Sequence, residues 1–481
     1  MLASASATTH ADDAHALIGE APPSPAGPLA ADDLRPIALP PAIPLPRALQ
    51  TLRFSVRQIE FVFRYRRLLG ETFRFRGVVD DEFVVLTSHP DHVKSLFTAK
   101  PDDAPSLTGE SPLRPIVGPN SVLTAIGPRH MRQRKLLLPP FHGEAVQRYA
   151  EMIAAVADRE IDSWPVGKPI RLAPSTQAIT LDVIMAGIFG VEGLPEKGTP
   201  ERGLRDAIRW AVGLSVRPEA QLFELLNIRR EEPAGPLKRL LDHVDRFVYA
   251  LIDQRREAGD AAQRADILSL LLEATDEDGT PLTDRELRDE LLTLVLAGHE
   301  TTANSLAWAF ERLVRTPAAY DRLRDISRSG DAAFADEDGW IEATIHETMR
   351  SRPVIPMIGR RVTRPWELGE YRVPAGTSVA MSILLLHHRE DVYPDPFAFR
   401  PERFLGVRPG TYTWIPFGGG IRRCLGAALA MAEQRVVLRA IARRTDLVAV
   451  DAAPEHARHR NVTMIPQEGA RVIVQAKRPS G

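Results

Sequence analysis

The spacing of apolar and polar positions divides the chain into a long helical stretch and a later one of short strands and turns. Helical periodicity dominates from about Arg129 to Arg350. The clearest helix opens at "TDREL", where Thr283 precedes Glu286 by three residues, the pattern of a capping box. Nothing breaks it before Pro317, so it is predicted to be about 50 Å long at 1.5 Å per residue, with Gly298 weakening its middle. Its centre, "LLTLVLAG", is apolar all round and is expected to be buried. Upstream, "LPRALQTLRFSVRQIEFVFRYRRLLG" reads as one basic amphipathic helix, and "TFRFRG" with "EFVVLTS" as a β-hairpin. After Pro353 the segment "RRVTRPWELGEYRVPAGTSVAM" reads as short strands and turns. A long irregular stretch then runs from His387 to Gly420. A loop of that length inside a compact domain is usually functional. A helix is expected from about Cys424 to Arg444, followed by a strand at "RVIVQA". The pattern is that of a mostly helical α+β protein without internal repeats.

Composition narrows the function. The chain has 481 residues, 44% of them hydrophobic and 26% charged, which is ordinary globular usage. A net charge of −2 gives no bulk basicity, so no nucleic-acid partner is expected. Residues 1–38 are rich in Ala, Pro, Ser and Asp and read as a disordered tail, with the folded domain at 39–481. That tail lacks the basic start and apolar core of a secretory signal. Runs such as "SVAMSILLL" are much shorter than the ~20 residues of a spanning helix, so no membrane span is expected. The single cysteine excludes an internal disulfide, a multi-cysteine zinc site and a cysteine-ligated iron–sulfur cluster. It fits a reducing compartment, and a cytoplasmic location is expected.

That cysteine sits in "WIPFGGGIRRCLGAALA", as Phe417-x-x-Gly420-x-Arg422-x-Cys424-x-Gly426. Read alone, a lone Cys is most often a small buried hydrophobe. A phosphate-binding loop fits poorly, because no Gly-Lys-Ser/Thr follows the glycines. The whole pattern, however, resembles the signature of the cytochrome P450 superfamily, the haem-thiolate monooxygenases. Four further stretches fall in that family's order. "RHMRQRKLLL" holds His130 and Arg134 one helical turn apart, although many members have Trp at the first position. "AGHETT" spans Ala297 to Thr302. "IHETMR" contains Glu347-x-x-Arg350, and "PERF" contains Arg403. One small departure is Val354, where many members have a second Pro after the ExxR helix.

The resemblance implies a cytochrome P450 fold, with a large helical region, a long central helix over haem b and a small β-rich region. It implies Cys424 as the iron ligand, presented near a helix start where backbone N–H groups stabilise a thiolate. Phe417 would shield the sulfur, the glycines would let the backbone approach the macrocycle, and Gly426 would leave room beneath it. Arg422, His130, Arg134 and Arg360 would contact the propionates, with Arg361 the rival to Arg360. Ala297 and Gly298 would open the helix beside the iron. Thr301 would loosen it further by bonding the Ala297 carbonyl, and Glu300 would be the acid of a proton relay. Glu347, Arg350 and Arg403 would form a structural triad that locks the irregular loop. A zinc-protease reading of "HETTA" fails for want of a second His.

The same resemblance implies insertion of one atom of O2 into a hydrophobic small molecule such as a fatty acid, terpenoid or steroid. The pocket would be formed by Thr293, Leu296, Ala297, Val354, Ile355, Met357 and Thr463. The segments 105–124 and 207–226 would form its lid and entrance. No dinucleotide fingerprint or flavin module is visible, so electrons would come from a separate ferredoxin or flavodoxin with its reductase. Arg132, Lys135 and Arg423 are candidates for a basic docking patch, with ordinary solvated cations as the other reading. A peroxide-driven enzyme and a haem-binding sensor without turnover remain as alternatives, and the Glu300–Thr301 pair argues against both.

Overall fold

The computed structural model describes residues 38–479 except 78–82, 112, 142–148, 192, 216–226, 228–229, 231 and 330–338. All but the last residue of the expected tail, and most of the second lid segment beyond Ser215, lie outside the described residues.

The N-terminal amphipathic segment forms two helices, α1 (Arg47–Val56) and α2 (Gln58–Leu69), where the pattern predicts one. The chain breaks at Arg57, with φ −136° and ψ 53°. The two halves answer to different partners. α2 buries Phe61, Val62, Phe63 and Tyr65, whereas α1 buries only Gln50, whose amide donates to the Leu45 carbonyl at 2.7 Å. The hairpin forms as expected, β1 (Thr72–Phe75) pairing antiparallel with β2 (Val84–Thr87).

Helices then dominate. α3 (Gly127–Leu137) carries the His130 motif. β3 (Pro169–Arg171) leads into α4 (Leu172–Phe189), which is followed by α5 (Pro200–Ser215) and α6 (Pro236–Ala258). The central helix, α7 (Asp284–Leu313), has 30 residues and so spans about 45 Å. Its capping box is present: the Thr283 hydroxyl accepts from the Glu286 N–H, and the Glu286 carboxylate accepts from the Thr283 N–H at 2.9 Å. α7 stops at Leu313, four residues before Pro317.

α7 is flanked by two apolar cores. Leu287, Leu291 and Val295 of its first half pack with Leu181, Ile188 and Val248 from α4 and α6. Leu306 and Phe310 of its second half pack with α8 (Trp340–Ser351) and α9 (Ala427–Arg444). Its middle lies between them, against the cavity described below. α4 is the one described helix long and apolar enough to cross a membrane by length and composition. It was not among the apolar runs weighed from the sequence. Its setting is interior: Thr176 and Thr180 donate to the α7 carbonyls of Ala303 and His299, both at 2.9 Å.

The β-rich part brings distant segments together. β4 (Met357–Arg361), the small hairpin β5 (Trp366–Leu368) and β6 (Tyr371–Val373), and β7 (Ser378–Ser382) follow α8. One sheet has the order β1-β2-β7-β4, with β2 and β7 parallel. After α9 come β8 (Thr445–Ala449), β9 (Ala457–Arg460), β10 (Thr463–Pro466) and β11 (Arg471–Lys477). β11 lies between β3 and β8, and β9 pairs with β10. The expected "RVIVQA" strand is β11.

Candidate active site

The cysteine loop turns tightly before α9. Cys424 donates its backbone N–H to the Phe417 carbonyl at 3.0 Å, and a short 3-10 turn spans Gly420–Arg422. α9 begins at Ala427, so Cys424 precedes the helix by three residues rather than opening it. The sulfur still receives the Gly426 N–H. Desolvation raises the thiol pKa, and the Gly426 N–H and the charges of Arg423 and Arg134 oppose the rise. The glycines have a physical reason that the sequence did not reveal. Gly420 has φ 62°, and a Cβ there would stand 2.3 Å from the Phe97 carbonyl oxygen; a Cβ at Gly419 would strike the Phe97 ring. These two admit a neighbouring helix end. Gly426 differs: a Cβ there meets nothing within 4 Å, so the space beside it is open.

Four basic side chains converge beside this loop. Arg422 donates to the carbonyls of Val122, Leu123 and Ala125. Arg134 donates to the Arg423 carbonyl at 2.8 Å. Arg360, only 6% exposed, has the Gly359 carbonyl at 3.2 Å as its hydrogen-bond acceptor. None of the three meets a carboxylate among the described residues. Burial lowers the pKa of Arg360 and of Arg422 to about 10, and the charges of Arg360 and Arg134 add to the effect on Arg422. Burial, then Arg422, Arg134 and Arg360, bring His130 down to about 3. Buried cations without counter-charges are costly unless an anion joins them. Arg361 points the other way along β4 and is bound by Glu110 at 2.7 Å, which separates it from its rival Arg360.

Across the cavity, Thr301 donates to the Ala297 carbonyl at 2.7 Å. Gly298 does not mark a bulge, because α7 remains α-helical through it. Its role is close approach: a Cβ would lie 2.6 Å from Ile184 Cδ1 on α4. Glu300 is turned toward the C-terminal hairpin. Its Oε1 accepts from Arg460 on β9 and from the Thr463 hydroxyl at 3.1 Å.

Cys424, His130, the three arginines, Thr301 and Glu300 all line one cavity of about 1390 Å³. All seven residues assigned to the substrate pocket line it too, as do Ser106–Thr108 and Trp210 of the expected lid segments. The volume exceeds the ~300–1,000 Å³ of an ordinary small-molecule site, leaving space for a large cofactor and a substrate. The donor set fits haem b: a thiol at the floor, open space at Gly426, and unpaired cations for two propionates.

The comparisons agree with this geometry. The family model for cytochrome P450 matches residues 38–474. This chain belongs to the cytochrome P450 family. Putative cytochrome P450 137 of Mycobacterium tuberculosis is 37% identical to it over 441 residues, 90% of either chain. Putative cytochrome P450 135B1 of Mycobacterium bovis is 38% identical over 449 residues, 92% of either chain. In fold it is similar to the cytochrome P450DA haem domain, with TM-score 0.76, 22% identity and coverage of 92% of this chain and 99% of that one. The retinoic acid-bound cyanobacterial CYP120A1 gives TM-score 0.74 at 22% identity, covering 92% and 100%. The protein is thus a haem-dependent P450 monooxygenase, an oxidoreductase with haem b as cofactor.

The P450 triad is present, and its Glu347–Arg350 pair is buried. Glu347 and Arg350 are both 0% exposed, with Arg350 Nε to Glu347 Oε2 at 2.6 Å and Nη2 to Oε1 at 2.8 Å. Arg403 joins more loosely at 3.4 Å. The Arg400 N–H is a better anchor, donating to Glu347 at 2.8 Å. Arg350 also donates to the carbonyls of His387, Pro396 and Ala398, so one ion pair fastens much of the irregular loop.

The expected docking patch is not a field of free cations. Arg132 pairs with Asp276 and Glu286, and Lys135 with Glu277. The acidic partners lie more than 140 residues away in sequence, so no local pattern announces them.

Three residues of the site escaped the sequence reading. Phe97 shapes the cysteine loop from another helix. Arg460 holds Glu300 and lies in "ARHRN", which carries no motif. Glu433 lines the cavity from α9 and had a usable signal: it interrupts the i, i+4 apolar row Leu429, Glu433, Val437.

Proposed function

We propose that Cys424 is the proximal iron ligand, that His130, Arg134, Arg360 and Arg422 hold the propionates, and that the substrate is a bulky hydrophobic small molecule of the fatty acid, terpenoid or steroid kind. The observation that carries this reading is the set of three buried or part-buried arginines, without carboxylate partners among the described residues, around a cavity floored by the one cysteine. When bound, haem supplies oxygen activation, and a thiolate ligand favours O–O cleavage. The chain's own residues have the remaining tasks. Thr301, with its hydroxyl on the Ala297 carbonyl, faces the cavity from α7 and passes protons there. Leu296, Val354, Ile355 and Met357 give the substrate an apolar wall and exclude water. Glu300, held by Arg460, serves the relay only when that pair opens. Electrons arrive from a separate ferredoxin or flavodoxin with its reductase, in a cytoplasmic setting.

A screen of apolar and polar compounds for a change in haem spin state tests the substrate class. Apolar compounds of fatty-acid, terpenoid and steroid size should shift the spectrum, and small polar ones should not. Turnover of a hit with O2 and a ferredoxin or flavodoxin pair, set against peroxide alone, tests the electron supply. A response confined to polar compounds, or full activity with peroxide alone, would overturn the reading.

A further inference from the structure

Glu290, in the first half of α7, is a fully buried carboxyl that does not line the cavity. Its Oε1 accepts the Val122 N–H at 2.8 Å, and its Oε2 is sealed from solvent without a hydrogen-bond partner. No ion pair involves it among the described residues. Burial raises its pKa well above the ordinary value; the Val122 N–H opposes the rise, and Asp289 and Glu286 add to it. That environment favours the neutral acid. A polar group in that state costs free energy that an apolar side chain there would avoid, so what it holds is the question.

It holds a strap, residues 118–125, at the end of the first expected lid segment. Neighbours on α7 fasten the same strap. Asn120 donates its backbone N–H and its side-chain amide to Asp289 Oδ2, at 3.1 and 3.0 Å, and the Thr293 hydroxyl donates to that of Ser121 at 2.6 Å. Gly118 permits the close approach: its φ is 86°, and a Cβ there would strike the Asp289 carboxylate. The other side of the strap faces the cysteine loop. Thr124 and Ala125 return their N–H groups to the Ser121 carbonyl, while the carbonyls of Val122, Leu123 and Ala125 all accept from Arg422. Val122 thus has its N–H on Glu290 and its carbonyl on Arg422, at 2.8 and 3.2 Å.

We propose that Glu290 is a positioning residue for the haem: it fixes the strap from α7, and the strap's carbonyls aim Arg422 at a propionate. This rests on the propionate assignment above and names what sets the direction of one of its cations. Arg422 has no carboxylate partner among the described residues, so the strap decides where its guanidinium points. Three of its five donors go to strap carbonyls, which leaves two for an anion. A neutral acid suits the task, because the Val122 N–H needs only a carbonyl oxygen. A charged carboxylate would accept the same bond and stand, without a cation of its own, beside Asp289 and Glu286. An amide at this position should therefore serve equally well, and an apolar side chain should not.

The test compares the wild-type holoenzyme with Glu290→Gln, Glu290→Met, Ser121→Ala, Arg422→Ala and the double variant Glu290→Met with Arg422→Ala. Two readouts follow the propionates: the rate of haem transfer to an apoglobin acceptor, and the propionate bending band in resonance Raman spectra. Glu290→Gln keeps the acceptor and should match the wild type in both. Glu290→Met keeps the length without the acceptor; its haem transfer should be roughly two- to tenfold faster, the scale of one neutral hydrogen bond, and its band should shift. Ser121→Ala loosens the strap without touching Glu290 and should move both readouts the same way. The double variant should lose haem no faster than Arg422→Ala alone, because the route through Arg422 is already cut. Additive effects would mark Glu290 as a packing group and overturn the proposal, and so would a Glu290→Gln variant as impaired as Glu290→Met. If Glu290→Met loads no haem, Ser121→Ala decides, and wild-type readouts there overturn the proposal. If Arg422→Ala changes neither readout, the propionate assignment falls and this inference with it. If Arg422→Ala changes both and Glu290→Met changes neither, only this inference falls.

Discussion

At the scale of single residues, the site depends on which way a side chain faces. Cys424 has the Gly426 N–H at its sulfur and the Phe417 carbonyl on its own N–H, so the loop presents the sulfur to the cavity. Cys424→Ser should lose haem or lose the red-shifted ferrous-carbonyl band; retention of that band with activity would refute the ligand assignment. Arg360 and Arg361 are adjacent on β4 and point to opposite faces, as strand geometry requires. On the proposed assignment, Arg360→Ala removes a buried donor to the propionates, an interaction of about 1.5–3 kcal/mol. Haem transfer to an apoglobin acceptor should therefore be roughly ten- to hundredfold faster in Arg360→Ala and unchanged in Arg361→Ala, whose lost partner is the half-exposed Glu110. The reverse ranking would exchange their roles.

At the scale of elements, the irregular loop is held by α8. Its backbone runs without regular hydrogen bonding, yet the carbonyls of His387, Pro396 and Ala398 all accept from Arg350. Glu347 fixes that guanidinium from the same helix, three residues away, and also accepts the Arg400 N–H. Removing one member of a fully buried pair leaves the other charge stranded, at a cost of roughly 3–5 kcal/mol against a total stability of about 5–15. Glu347→Ala should therefore give little soluble haem-loaded protein, measured as haem per chain after purification. A stable variant with full haem and low turnover would instead indicate a catalytic role. The i, i+3 spacing of this pair was readable from the sequence, because a helix places those positions on one face. Its burial was not, since most such pairs are solvated.

At the scale of the whole molecule, buried titratable groups set the response to pH. Burial lowers His92, His299 and His459 to about 4 and His387 to about 3, and holds His388 well below its ordinary value. Between about pH 4 and 6.5 the unfolded chain protonates these rings while the folded one keeps them neutral. Unfolding then takes up protons, and acid favours it. The sign is opposite for Glu433 and Glu290, which burial raises, and for Asp245, Asp289 and Glu455 by smaller margins. These carboxyls keep protons in the folded state that the unfolded chain releases above about pH 4.5, so rising pH favours unfolding through their range. The imidazoles outweigh them from pH 5 to 6.5. At pH 6.5 about half of the unfolded imidazoles are still protonated, and only above about pH 7.5 do the carboxyls act alone. The melting temperature should rise from pH 5 to a maximum near neutrality and drift down toward pH 8, as followed by calorimetry. A monotonic fall from pH 5 would show that the carboxyls dominate.

What the sequence determined by itself lies within a turn or two of chain. The cysteine loop, the Thr301–Ala297 bond, the capping box at Thr283 and the Glu347–Arg350 pair are short-range features, and backbone periodicity places their members together wherever the helix goes. The tertiary structure decided everything that depends on distant chain. It made Arg360 the inward cation by packing one face of β4 toward the cavity. It neutralised Arg132 and Lys135 with acids from the segment before α7 and from its first turn, split the first amphipathic segment at Arg57, and turned Glu300 onto Arg460. It also left Glu433 alone in an apolar setting. Burial and long-range charge pairing have no period along the sequence, so they are settled only when the elements pack.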